Sequence, residues 1–223
     1  MELNLVMLGP PGAGKGTQAR QLRRRWNIPH ISTGAMLREA VQAATPLGRE
    51  VGAIMENGGL IADEVITRVV QERLSQSDTK AGFLLDGYPR TIPQAHALDE
   101  MVASRTPLVI VDVVLTEAEV VRRLASRLVC AECGTNAQDT SEDARCHDCG
   151  GPLVPRADDR EQVVLNRLEV YRTQTEPLVQ YYGQRPTYCR IDGAQLPDDV
   201  TRDIIRAVER RIGDRGSGSG EGI

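Results

Sequence analysis

Short, almost unbroken apolar runs alternate along the chain with segments whose apolar positions recur every three to four residues. Leu5-Val6-Met7-Leu8, Phe83-Leu84-Leu85 and Leu108-Val109-Ile110-Val111-Asp112-Val113-Val114-Leu115 are of the first kind, the pattern of strands buried on both faces of a parallel sheet. His30-Ile31-Ser32 and Tyr188-Cys189-Arg190-Ile191 are shorter candidates for the same sheet, the second ending in an Asp192-Gly193 turn. The helical pattern predicts Lys15 to Trp26, Met36 to Ala44, Leu47 to Glu56, Asp63 to Leu74, Ile92 to Ala103 and Glu117 to Arg127. It also predicts a long helix from Gln162 to Tyr182, with Pro177 as a bend or break, and a last one from Leu196 to Ile212. Strands that alternate with helices predict an α/β fold in three layers, a central parallel sheet flanked by helices. Gly213 to Ile223 is Gly/Ser-rich, offers no apolar run to bury and is expected to be disordered.

A length of 223 residues suits one domain with room for small insertions. Apolar residues make up 40% of the chain and aromatics only 3%, so the core must be built from Val, Leu, Ile and Ala. The formal charge of −4 argues against a surface made for bulk nucleic-acid or membrane binding. No early stretch has the charged start, apolar centre and cleavage site of a secretory signal, and nothing approaches a membrane span, so a cytoplasmic location is expected. In that reducing compartment five cysteines read as metal ligands before disulfides.

The first strand runs into Gly9-Pro10-Pro11-Gly12-Ala13-Gly14-Lys15-Gly16-Thr17, and a helix follows at once. In that order backbone N–H groups turn inward and the positive end of the helix points at the same spot, a cradle for phosphates. Gly12, Ala13, Gly14, Lys15, Gly16 and Thr17 are therefore candidate nucleotide contacts, with Lys15 reaching the β- and γ-phosphates. The strict motif has Ser or Thr directly after the lysine. Here Gly16 intervenes, which leaves the Thr17 hydroxyl two roles, at a phosphate oxygen or in the Mg²⁺ shell.

Gly82-Phe83-Leu84-Leu85-Asp86-Gly87-Tyr88-Pro89-Arg90 ends an apolar strand in a carboxylate, a turn and a cation. Asp86 stands where P-loop enzymes hold Mg²⁺ or its waters, or else caps a turn, and the planar fork of Arg90 suits a phosphate. After the second strand, Thr33-Gly34-Ala35-Met36-Leu37-Arg38 lies where open α/β sheets place ligands. Ser32 or Thr33 then either caps a helix or joins the site, and Arg38 is either a site cation or solvated. The backbone of Asn57-Gly58-Gly59-Leu60-Ile61 and the amide of Gln94 could read a base edge, although a helix C-cap explains the glycines equally well. Arg123 and Arg127, spaced i, i+4, fall on one face of the helix from Glu117.

Cys130-Ala131-Glu132-Cys133 and Cys146-His147-Asp148-Cys149 bracket twelve largely polar residues that supply no core. Two such knuckles, each followed by glycine, specify a tetrahedral zinc with Cys130, Cys133, Cys146 and Cys149 as ligands. Four ligands leave no open position, so this Zn²⁺ is structural and stands in for a hydrophobic core. The acidic loop Asp139-Thr140-Ser141-Glu142-Asp143 argues against nucleic acid as its partner.

Taken in order, Gly9 to Thr17, Ile31-Ser-Thr-Gly34 with Met36-Leu-Arg38, Phe83 to Thr91, and Arg156-Ala-Asp-Asp159 resemble the adenylate kinase family in its bacterial long-lid form, from Leu5 to about Ile212. The resemblance implies a P-loop kinase body, residues 1–128 and 161–212, with a helical flap over 33–74, a zinc-binding lid over 129–160 and a tail over 213–223. It implies a monomer that transfers the γ-phosphoryl of Mg·ATP reversibly to AMP, giving two ADP and balancing the adenine nucleotides. Lys15, Arg123, Arg127, Arg156 and Arg167 would surround the phosphates, with Arg123 and Arg156 also near the ATP base. Thr33, Arg38, Gly87, Arg90 and Gln94 would hold AMP, joined by Arg156 and Arg167, while Ile61 would offer backbone to its adenine and Asp86 would orient waters around Mg²⁺. Thr33 and Thr91 match the AMP-using branch, where pyrimidine relatives have Ala and Asn. The chain departs from the family in Ala35, where Asp is common, in Gly59, where Lys is frequent, and in a shorter insertion between the knuckles. Three rival readings remain: a kinase for another nucleoside monophosphate, a P-loop switch or ATPase with the zinc ribbon as docking arm, and a nucleic-acid-binding zinc protein.

Overall fold

The computed structural model describes residues 2–137, 141, 143–156 and 159–213. Strands β1 (Leu3–Leu8), β2 (His30–Ser32), β3 (Gly82–Asp86), β4 (Val109–Val114) and β7 (Tyr188–Asp192) form one sheet in the order β2-β3-β1-β4-β7, and every pairing is parallel. Alternate residues of each strand serve opposite faces. Val6, Leu8, Phe83, Leu85 and Ile110 bury into one cluster, while Leu5, Met7, Leu84, Val109 and Val111 bury into the other. This two-sided burial explains the unbroken apolar runs.

Helices α1 (Lys15–Trp26) and α9 (Pro197–Gly213) cover one face through Ala19, Leu22, Val200, Ile204 and Val208. The other face is covered by α4 (Asp63–Leu74) and α5 (Ile92–Met101), with Ile66, Val70, Ala95 and Leu98 buried. Helices α2 (Thr33–Gln42) and α3 (Pro46–Glu56) join the same cluster through Leu37 and Val51, and α6 (Glu117–Ala125) packs Val120 and Leu124 against Val164 and Leu168 of α7 (Glu161–Val170). The three-layer α/β reading holds.

Several boundaries differ from the pattern-based ones. Helix α2 begins at Thr33, not Met36, because Ser32 caps it by accepting from Ala35 N at 3.4 Å. Helix α6 ends at Ala125, so helical spacing does not place Arg127. The long helix from Gln162 to Tyr182 is interrupted: α7 gives way to a π-helical stretch, Tyr171–Thr175, before α8 (Pro177–Gly183). Pro177 has no N–H to offer and crowds the preceding turn, and the backbone ahead of it widens, with Glu176 N donating to Tyr171 O at 2.8 Å. A two-stranded antiparallel ribbon, β5 (Leu128–Cys130) with β6 (Leu153–Pro155), frames the cysteine region, and no alternating pattern announced it. Gly213 closes α9 and does not begin the tail. The disorder expected of the tail otherwise falls on residues 214–223, and much of the acidic loop on 139, 140 and 142, all outside the described residues. Among the described residues no helix is long and apolar enough to cross a membrane.

Candidate active site

The sheet register assembles the site. Asp86 pairs with Met7 on one side and Ser32 on the other, so the chain leaves β1, β2 and β3 at the same carboxyl edge. From β1 it enters the glycine loop, where Gly9 has φ +132° and a Cβ would lie 2.3 Å from Val113 O, room for glycine alone. Gly14 opens α1 by accepting from Thr17 N and Gln18 N at 2.9 and 3.0 Å. Lys15 Nζ donates to Gly9 O and Pro10 O, both at 2.7 Å, folding its ammonium back over the loop. Burial lowers its pKa to about 8, against the opposing pull of Asp86. A Cβ on Gly16 would stand in van der Waals contact with Asp86 Oδ2 at 3.5 Å, so the position directly after the lysine faces that carboxylate.

Burial alone would raise the Asp86 carboxyl. The His30 imidazole, whose Nε2 lies 3.5 Å from Oδ2, and the charges of Lys15 and Arg90 outweigh burial and hold it below the ordinary carboxylate value. Beside it, Thr33 Oγ1 donates to Gly87 O at 2.9 Å, and Arg90 Nε donates to the same carbonyl at 2.8 Å. Ser32 is thus the cap, and Thr33 turns its hydroxyl to the loop after β3.

The glycine loop, Asp86 and Gly87 border a cleft of about 900 Å³ that runs past Arg38 and Arg90 to Arg123, Arg127, Arg156 and Arg167. A side pocket of about 80 Å³ opens beyond Arg38 and Arg90, lined by Thr33, Ile61, Gly87 and Gln94. Arg156 and Arg167 border both spaces, so the cations stand between them. The Gly58-Gly59 turn also lines the side pocket and caps α3 at the same time: Gly58 N donates to Met55 O and Gly59 N to Ile54 O, both at 3.0 Å. Gly58 has φ +72°, and a Cβ there would meet Arg167 Cγ at 2.7 Å.

Arg127 forms a two-pronged pair with Asp159, 2.6 Å at each oxygen, and Arg167 Nη1 donates to the same carboxylate at 2.9 Å. The Asp159 side chain is 5% exposed, a buried anchor for two of the predicted cations. Burial and the neighbouring charge of Arg156 hold Arg127 below its ordinary pKa. Arg123 is aimed by Glu119, at 2.7 Å, and by Gly193 O, at 2.9 Å.

The sulfurs of Cys130, Cys133, Cys146 and Cys149 all lie within 4.8 Å of one another, with separations of 3.4 to 3.5 Å for three pairs. Sulfurs placed about 2.3 Å from a common Zn²⁺ would stand about 3.8 Å apart, so the donor set fits a tetrahedral metal. The thiols are unequal. Thr135 hydrogen bonds bring Cys133 down to about 6, whereas Cys149, despite the Gly151 N–H, is pushed up to about 12 by Cys130 and Cys133. Four crowded sulfurs cannot all ionise without a cation between them, which is the chemistry of a metal site.

The comparisons with known proteins agree with this geometry. The family model described as "Adenylate kinase" matches residues 7–187. Proteins named adenylate kinase from Moorella thermoacetica, Archaeoglobus fulgidus and Thermodesulfovibrio yellowstonii are 47%, 44% and 42% identical to this chain. The alignments cover 93%, 93% and 94% of this chain and 99%, 99% and 100% of those proteins, respectively. The chain belongs to the adenylate kinase family.

In this adenylate kinase family member, three features of the site went unpredicted. The turn from Gly193 to Pro197 borders the cleft beside Arg123, and Leu196 there is 73% exposed. Gln18 ties that turn to α1, with Nε2 donating to Pro197 O at 2.9 Å and Oε1 accepting from Thr201 Oγ1 at 2.6 Å. Its signal was a polar residue on the buried face of α1. Asp159 was visible as part of a motif but not as an anchor, and Asp63, which grips Thr91 and Gln94, had no signal beyond its place at a helix start.

Proposed function

We propose that this chain is an adenylate kinase, transferring the γ-phosphoryl of Mg·ATP reversibly to AMP to give two ADP. One observation carries the proposal: two compartments, one floored by a phosphate loop and one lined by polar groups suited to a base, meet at a shared set of arginines. A switch that only hydrolyses ATP has no use for the second pocket.

In this reading Gly12, Ala13, Gly14, Lys15, Gly16 and Thr17 hold the ATP phosphates, and Lys15 leaves its own loop carbonyls to meet them. Arg123 and Arg127 contact ATP, with the exposed Leu196 beside Arg123 as an apolar seat for its base. Thr33, Arg38, Ile61, Gly87, Arg90 and Gln94 hold AMP, and Arg156 and Arg167 span both nucleotides. Transfer needs the two phosphates in line and positive charge spread over the moving group, which the arginines supply without a general base. The Mg²⁺ that accompanies ATP offsets charge on its phosphates. Thr17 and the low-pKa carboxylate of Asp86 are the groups placed to hold that ion or its waters. Water competes as acceptor, so the assigned flap, 33–74, and lid, 129–160, close over the body, 1–128 and 161–212, to exclude it. Zinc on the four cysteines stiffens the lid. We also assign a cytoplasmic monomer without nucleic-acid or membrane partners.

The test is a coupled assay with Mg·ATP and each of AMP, GMP, CMP and UMP, against ATP alone. ADP formation that depends on AMP is the expected result. Steady hydrolysis of ATP alone, indifferent to any monophosphate, would move the chain to the switch class, and faster turnover of another monophosphate would change the acceptor.

A further inference from the structure

Gln94 lines the side pocket and is only 2% exposed, so its amide must find its partners in the protein or a ligand. Nε2 donates to Asp63 Oδ1 at 2.6 Å, and Oε1 accepts from Arg90 N at 2.7 Å. A carboxylate only accepts and a backbone N–H only donates. Turning the amide over would set oxygen against carboxylate and N–H against N–H, so it has one orientation. The lock is itself held in place. Thr91 Oγ1 donates to Asp63 Oδ2 at 2.9 Å and accepts from Gln94 N at 3.3 Å, while the Tyr88 hydroxyl donates to Gln94 O at 3.2 Å.

Each end of the amide keeps one unused capacity, a second N–H on Nε2 and a second lone pair on Oε1. We infer that Asp63 is a positioning residue that sets base selectivity: it locks the Gln94 amide so that the pocket takes a ring with an acceptor beside an exocyclic amino group and rejects a carbonyl in the amino group's place. The inference rests on the proposed function, in which this pocket receives the base of the acceptor monophosphate. Adenine offers that pair on either polar edge, N1 or N7 beside the 6-amino group. A 6-oxopurine puts O6 opposite Oε1, acceptor against acceptor, and a buried mismatch of that kind is strongly disfavoured.

AMP and IMP differ at this position, which makes them the probes. The measurement is kcat and KM for each, at saturating Mg·ATP, in the wild type and in Asp63→Asn. Asparagine can present either a donor or an acceptor to Gln94, so the carboxylate's half of the lock is lost and only the Arg90 N–H still orders the amide. The AMP-to-IMP ratio of kcat/KM should fall about threefold or more, mainly through the monophosphate KM, while the KM for Mg·ATP changes less than twofold. In a Gln94→Leu background, with no amide left to orient, the same substitution should move the ratio less than twofold. A ratio within twofold of wild type in Asp63→Asn overturns the inference even if AMP turnover falls, since that would be loss of structure alone. An equal shift in the Gln94→Leu background overturns it too. Should circular dichroism show Asp63→Asn unfolded, Asp63→Ser, which keeps a small polar group at the first position of α4, is assayed in its place against the same criteria. A wild type that makes no ADP from AMP defeats the proposed function itself, and this inference with it, before any variant is compared.

Discussion

The helical segment from Thr33 to Leu74 and the cysteine ribbon border the same cleft, yet they are held together by different physics. Leu37, Val51, Ile61, Ile66 and Val70 bury into the cluster that contains Phe83, Leu85 and Tyr88, so the helices share the core of the sheet. Between residues 129 and 160, the only described residues that are buried are Cys130, Thr135, Cys146 and Gly151. A buried Leu or Ile contributes about 1.5–3 kcal/mol, and the ribbon has none. Its order must come from the sulfurs, from the short β5–β6 ladder and from polar links such as the Thr135 to Asp148 hydrogen bond, 2.9 Å, that joins the two knuckles. The helices should therefore melt with the body, and the ribbon should come apart alone.

The largest expected effect lies on the floor that both parts face. Lys15→Ala should reduce phosphoryl transfer by about three orders of magnitude while circular dichroism and Tm stay near wild type, because the lost charge serves the transition state and not the core. Turnover within tenfold of wild type would remove Lys15 from the mechanism. Metal removal separates the two parts next. A strong chelator should expose sites between residues 129 and 160 to protease and lower turnover by tenfold or more, with the main thermal transition moved by only a few degrees. One transition that collapses as a whole would show that the ribbon and body are a single unit.

Ile66→Ala makes the complementary cut. It should cost about 2–4 kcal/mol, a fall of roughly 5–12 °C in the main transition, with metal content unchanged. Zinc loss at equal severity would contradict the division.

The smallest effect is a pH dependence. Lys15 titrates near 8 in the folded chain, below its ordinary 10.5, so between those values the native chain binds fewer protons than the unfolded one. Its contribution to stability thus rises with pH across that window, while the charge available to phosphate disappears. ATP affinity should fall by up to about tenfold per unit above pH 8, measured by titration calorimetry, and Lys15→Ala should flatten that slope.

The phosphate loop, the helix starts at Lys15 and Asp63 and the cysteine knuckles were legible because each is written within a few consecutive residues, where backbone freedom, capping and ligand spacing are local. The apolar runs likewise announced a sheet buried on both faces, and from it the fold class. Nothing local could announce that Asp63 meets Gln94, that Asp159 gathers Arg127 and Arg167, or that Gly193 reaches Arg123. Those meetings depend on the strand order β2-β3-β1-β4-β7 and on its register, which bring separate loops to one edge. Local patterns along the chain were enough to say which chemical groups the protein owns and which short elements carry them. Which of those groups face one another was settled by the packed fold, because a hydrogen bond between distant side chains exists only after the sheet has set their positions.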